Sequence, residues 1–68
     1  MTVKVTANGQ DAEVTLPCTL EDFLRSRGLS PRSVVVELNG LAIPPSDFTS
    51  KELRANDRLE IVKIVAGG

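Results

Sequence analysis

Two Asn-Gly dipeptides, Asn8-Gly9 and Asn39-Gly40, constrain this 68-residue chain more than any other feature. Asn and Gly both tolerate the positive φ of a two-residue type I′ turn, so each dipeptide favours a tight hairpin where its flanks alternate. Ahead of the first, Val3, Val5 and Ala7 alternate with Thr2, Lys4 and Thr6. Beyond it, Ala12, Val14 and Leu16 alternate with Asp11, Glu13 and Thr15. Period two means a half-buried strand, so the first sixteen residues read as a hairpin with one apolar face. Around the second, residues 34–38 place Val34, Val36 and Leu38 on one side and Val35 and Glu37 on the other. Residues 41–43 return as a short strand, which Pro44-Pro45 must end because neither can donate to a ladder.

Between the hairpins lies one helix. Thr19 can cap its first turn, and Asp22 occupies the capping-box position three residues on. Leu20, Phe23, Leu24 and the stem of Arg27 fall on one helical stripe. Glu21 and Asp22 suit the positive end of the dipole, and Arg25 and Arg27 the negative end. Gly28 supplies a left-handed stop over which Leu29 can fold back. About nine residues cannot persist as an isolated helix, so this one must lie on the hairpin's apolar face. Residues 46–58 read as loop with a single helical turn, plugged by Phe48 and Leu53, and Asn56-Asp57 as the turn into the last strand. Residues 59–65 form the most β-branched run in the chain and read as a central strand. A helix joining parallel strands crosses over right-handed, which lets the last strand lie parallel to the first in the middle of the sheet. The expected class is therefore α+β: a ubiquitin-like β-grasp, with a mixed four- to five-stranded sheet and one main helix across one face.

Sixty-eight residues allow one domain, taken as residues 1–65, with residues 66–68 expected to be a flexible Gly-Gly tail. Eight basic against nine acidic residues leave a net charge of −1, and Phe23 and Phe48 are the only aromatics. That speaks against a nucleic-acid partner. No run approaches a membrane span or a signal peptide, so no membrane partner is expected. The single Cys18 cannot make an internal disulfide, which favours the cytoplasm. Without histidine the usual zinc ligand and the usual general base are both missing, so no catalytic residue, metal site or bound cofactor is expected.

The last residues carry the chemistry instead. Gly67 and Gly68 have no Cβ and can thread a channel too narrow for side chains. The Gly68 carboxylate is inert until something activates it, and the bland alternative is a frayed end. In the last strand, Val62 and Ile64 alternate with Ile61 and Lys63, giving apolar character on both faces. A helix covers only one, so Val62 and Ile64 are expected to be exposed for a partner, unless a loop covers them. Cys18 is expected to be an inert, partly buried thiol rather than a persulfide carrier, since no basic neighbour in sequence lowers its pKa. Asp57-Arg58 reads as turn chemistry, and Lys4, Lys51 and Lys63 as solvated surface.

From Val35 onward the sequence resembles the ThiS family of thiamine-biosynthesis sulfur carriers. The resemblance rests on Glu37-Leu38-Asn39-Gly40, Ile43-Pro44, Asp47-Phe48, Leu53, Asp57-Arg58-Leu59-Glu60-Ile61-Val62 and Val65-Ala66-Gly67-Gly68. The N-terminal half fits through its element order and helix stripe. Asn56 stands where the family often has Gly, and Phe48 where a Trp is common. The resemblance implies a protein co-substrate rather than an enzyme. An E1-like, ThiF-like adenylyltransferase would use ATP to adenylate the Gly68 carboxylate, with Ala66 and Gly67 lying in its channel. A sulfur donor such as a cysteine desulfurase would convert the adenylate to a thiocarboxylate. A ThiG-like thiazole synthase would take that sulfur into the thiazole of thiamine. Two alternatives remain at this point: a MoaD-like small subunit of molybdopterin synthase, and a ubiquitin-like protein modifier.

Overall fold

The computed structural model describes residues 1–65; Ala66, Gly67 and Gly68 lie outside the described residues. Strands β1 (Thr2–Ala7) and β2 (Gln10–Thr15) form the first hairpin, and helix α1 (Leu20–Ser26) follows. Strands β3 (Val34–Leu38) and β4 (Leu41–Ile43) form the second hairpin, and β5 (Arg58–Lys63) completes the set. The sheet runs β2-β1-β5-β3-β4, so the last strand sits at its centre. It is parallel to β1 and antiparallel to β3. This is the expected β-grasp, with five strands.

Both Asn-Gly turns take the left-handed backbone that their composition favours, with φ of 51° and 81° at Asn8-Gly9 and 53° and 86° at Asn39-Gly40. The helix is seven residues rather than nine, because Thr19 is its N-cap and Arg27 its C-cap. The capping box is complete: Asp22 N–H donates to Thr19 Oγ1 at 3.1 Å, and Thr19 N–H donates to Asp22 Oδ2 at 3.1 Å. At the other end Gly28 N–H donates to Arg25 O and Leu29 N–H to Leu24 O, the paired bonds of a Schellman stop. Arg27, at the C-cap, lies over the Phe23 ring of the stripe, its guanidinium carbon 5.0 Å from the ring centroid.

The loop after β4 is stitched to the start of this helix. Leu20 N–H donates to Lys51 O and Glu21 N–H to Phe48 O, satisfying two donors that a helix cannot pair internally. Leu53 N–H donates to Cys18 O. Phe48 and Leu53 are thereby pressed into the core beside Val5, Leu20, Phe23, Leu24, Val36 and Leu59. One 3₁₀ turn occupies Pro45–Asp47 and another Pro31–Ser33. The final strand ends at Lys63 instead of Val65, and starts at Arg58. β3 is its only long partner, and that ladder stops at Val34↔Lys63. No helix among the described residues is long and apolar enough to cross a membrane.

Candidate functional site

β5 hands the chain to residues 66–68, and the sheet grips it from both sides. On the β3 side, Asn39 N–H donates to Arg58 O at 2.7 Å and Ile64 N–H to Ser33 O at 2.8 Å. These bonds set the alternation of the antiparallel ladder. Val35↔Val62 and Glu37↔Glu60 are its hydrogen-bonded pairs, while Val34↔Lys63, Val36↔Ile61 and Leu38↔Leu59 turn their backbone groups away from each other.

On the β1 side the ladder is short, with Thr6 opposite Arg58 and Ala7 opposite Leu59. Asn8 N–H still donates to Leu59 O at 2.8 Å before the chain turns away. The Asn8 carboxamide then stands in for missing backbone. Its Oδ1 accepts from Ile61 N–H at 2.7 Å and its Nδ2 donates to Ile61 O at 3.0 Å. Asn39 does the same from the other hairpin: Oδ1 accepts from Arg58 N–H at 2.9 Å, and Nδ2 donates to Asp57 Oδ1 at 3.0 Å. The second Asp57 oxygen accepts from Arg54 N–H at 2.8 Å, so this buried carboxylate is turn chemistry, as its sequence suggests. Both turn asparagines are thus clamps on β5. Their positive φ is legible in the sequence; their reach to a strand up to 53 residues away is not.

The helix and the long loop cover one face of the sheet. On the other, Val35, Val62 and Ile64 are 51%, 63% and 53% exposed, so no loop covers the strip expected at Val62 and Ile64. Val35 joins them as the cross-strand partner of Val62. Its alternation with Val34 and Val36 is the signal that places it there. Glu37 and Glu60 lie directly opposite each other beside this pair, and among the described residues neither makes an ion pair. Val65 is 81% exposed. Gly68, Gly67 and Ala66 lie outside the described residues.

Cys18 is partly buried beside the helix N-cap. Burial, and then the nearby Asp22 carboxylate, push its thiol pKa above the ordinary 9.0, so it stays protonated at neutral pH. Its Sγ–H points at Thr19 O, 3.5 Å away. A thiol with that environment is a poor nucleophile.

A model of the ThiS family matches residues 4–68. The chain belongs to the ThiS family. That membership makes it a small sulfur carrier rather than a catalyst. Among its relatives, the uncharacterized protein ycf40 of Pyropia yezoensis is 32% identical over 66 residues, covering 97% of this chain and 93% of the relative. A thiazole synthase of Paramagnetospirillum magneticum is also 32% identical over 66 residues, covering 97% of this chain but only 20% of that protein. The likeness therefore spans about a fifth of the thiazole synthase. The crystal structure of the thiamine biosynthesis protein ThiS from Geobacter metallireducens superimposes with a TM-score of 0.82 at 23% identity, covering 97% of this chain and all of the other. Its solution structure gives 0.80 at 23% identity, with 97% and 88% covered. At that identity the two structures speak to the fold, and they share the β-grasp of this ThiS-family chain.

Proposed function

We propose that this ThiS-family chain carries sulfur on the carboxylate of Gly68 for thiazole synthesis. The observation that carries the reading is the treatment of β5. The central strand is clamped by two turn asparagines, open apolar side chains stand at Val62 and, just past its end, Ile64, and Ala66, Gly67 and Gly68 follow in the sequence. In the first step a Gly68 carboxylate oxygen attacks the α-phosphorus of ATP on an E1-like adenylyltransferase, and pyrophosphate leaves. The resulting mixed anhydride has the leaving group that a carboxylate lacks. Hydrosulfide, released by a thiol reductant from the persulfide of a donor such as a cysteine desulfurase, then adds to the acyl carbon. AMP departs with the C–O electron pair, leaving a thiocarboxylate and a proton. A thiocarboxylate is a softer nucleophile than the carboxylate it replaces, which suits it to sulfur transfer.

Val62 and Ile64 form the docking surface, and the three residues beyond Val65 can extend about 10 Å into the partner. The thiazole synthase containing a region similar to this chain supports thiazole synthesis as the client in preference to molybdopterin. The test is Gly67→Val, assayed by ATP–pyrophosphate exchange beside a thermal melt. A β-branched residue widens the chain and stiffens its backbone. The variant is expected to melt within the ~0.5 kcal/mol usual for surface changes, yet to give no exchange. Equal exchange in variant and parent would contradict the reading.

A further inference from the structure

Pairing on the β1 edge of β5 reaches only Ile61, two residues short of the strand's end at Lys63. Leu59 and Ile61 turn their backbone groups toward β1, and Asn8 satisfies them, first through its own N–H and then through its carboxamide. Lys63 is the next residue in that alternation. Its pairing with Val34 belongs to the class whose N–H and C=O point away from β3. No β1 residue is left to meet them, because that strand ends at Ala7 and turns at Asn8-Gly9. Among the described residues the backbone of Lys63 therefore has no partner on this edge, and the alternation would bring Val65 to it next. An unpaired edge of this kind is a template for another strand.

We infer that a β-strand of the activating enzyme pairs with the edge of β5 at Lys63, adding to the sheet beside the strand that leads to the tail. The inference rests on the function proposed above and names how the same partner grips the chain. Gly68 lies five residue steps beyond Lys63, a reach of about 17 Å when extended. A strand paired at Lys63 would fix the direction of that reach, which benefits only a partner whose active site lies at its end. A second copy of this chain fits the edge poorly. Pairing two such edges antiparallel about Lys63 would set two lysine side chains opposite each other, a repulsive pair. Asn8 has a defined part in this arrangement: by closing Ile61 with a side chain, it ends the intramolecular ladder and leaves the next backbone groups to a partner.

The experiment replaces one atom. The full 68-residue chain is made by total synthesis with the backbone nitrogen of Lys63 methylated, which removes its N–H and leaves the Val62 carbonyl an amide acceptor for Val35 N–H. Binding to the cognate E1-like adenylyltransferase and ATP–pyrophosphate exchange are measured beside a thermal melt. The N-methyl chain is expected to melt like the parent and to bind the enzyme at least tenfold more weakly, the effect of one lost backbone hydrogen bond at an edge the methyl also blocks. A lowered melting temperature would show that the N–H is already paired within the molecule and would overturn the inference. Affinity within twofold of the parent would overturn it too, while unimpaired exchange would leave the activation of Gly68 standing. Self-association of the parent that is lost in the N-methyl chain would give the edge to a second copy and contradict the enzyme strand. If even the parent gave no exchange with an adenylyltransferase active on its own carrier, the functional reading itself would fall, and this inference with it.

Discussion

Asn8 carries two duties on one side chain, and they can be separated by substitution. Gly accepts φ of 51° as readily as Asn does, so Asn8→Gly keeps the turn but removes both bonds to Ile61. Two neutral hydrogen bonds at ~0.5–1.5 kcal/mol each, partly replaced by water at an exposed site, suggest a loss of about 1–2 kcal/mol. In a domain of this size that lowers Tm by roughly 4–16 °C. A melt unchanged within a degree would show that the clamp contributes nothing. Cys18 gives the second residue-scale expectation. Cys18→Ser should leave sulfur transfer intact, because the raised pKa keeps the thiol protonated. A folded variant unable to accept sulfur would make Cys18 a relay. The same shift has a pH signature. A thiol whose folded pKa is raised adds stability that is complete below the ordinary 9.0 and is lost as pH rises through the higher folded value. The parent should therefore lose more stability than Cys18→Ser between neutral pH and the range above 9, as read by paired melts. At this scale the sequence reveals conformational roles, such as the positive φ of Asn8, Asn39 and Asn56. It hides the long-range partners of those side chains, because a carboxamide's targets depend on which strands meet.

Element by element, the reading from sequence succeeds where the physics is local. The alternation of β1, β2 and β3, the Thr19–Asp22 capping box and the Gly28 stop all involve residues within a few positions of one another. The misplaced ends of β5 have a tertiary cause. β-branched composition favours extension through Val65, but a strand lasts only while a neighbour pairs with it, and β3 begins at Val34. The sheet also contains a conflict that composition cannot show. Glu37 and Glu60 become direct cross-strand neighbours only through the β3–β5 register. Like charges set opposite each other destabilise a sheet. Glu60→Gln is therefore expected to raise Tm at low salt by about 2–4 °C, corresponding to ~0.5 kcal/mol. The gain should shrink above physiological ionic strength as screening sets in. A fall in Tm at low salt would show that Glu60 is already compensated by the nearby Arg58, which lines the same shallow concavity.

In the whole molecule the sheet order assigns the roles. Placing β5 between β1 and β3 makes the last strand in the chain the central one, and its pairing with both neighbours ends by Lys63. Among the described residues, eleven buried apolar side chains form the core between the sheet and the helix-loop layer, which leaves Val35, Val62 and Ile64 on the opposite face. That asymmetry was legible from the alternation in residues 59–65 together with a single helix. The surface could be located, but its partner could not, since an apolar strip specifies no particular protein. The chemistry rests on Gly68, and intact-mass spectrometry tests it most directly. The full chain is incubated with ATP, its E1-like adenylyltransferase and a sulfur donor, and the product is then fragmented. The account predicts a mass gain equal to one oxygen exchanged for sulfur, located at Gly68 and absent without ATP. An unchanged mass, with an adenylyltransferase shown to be active on its own carrier, would contradict it.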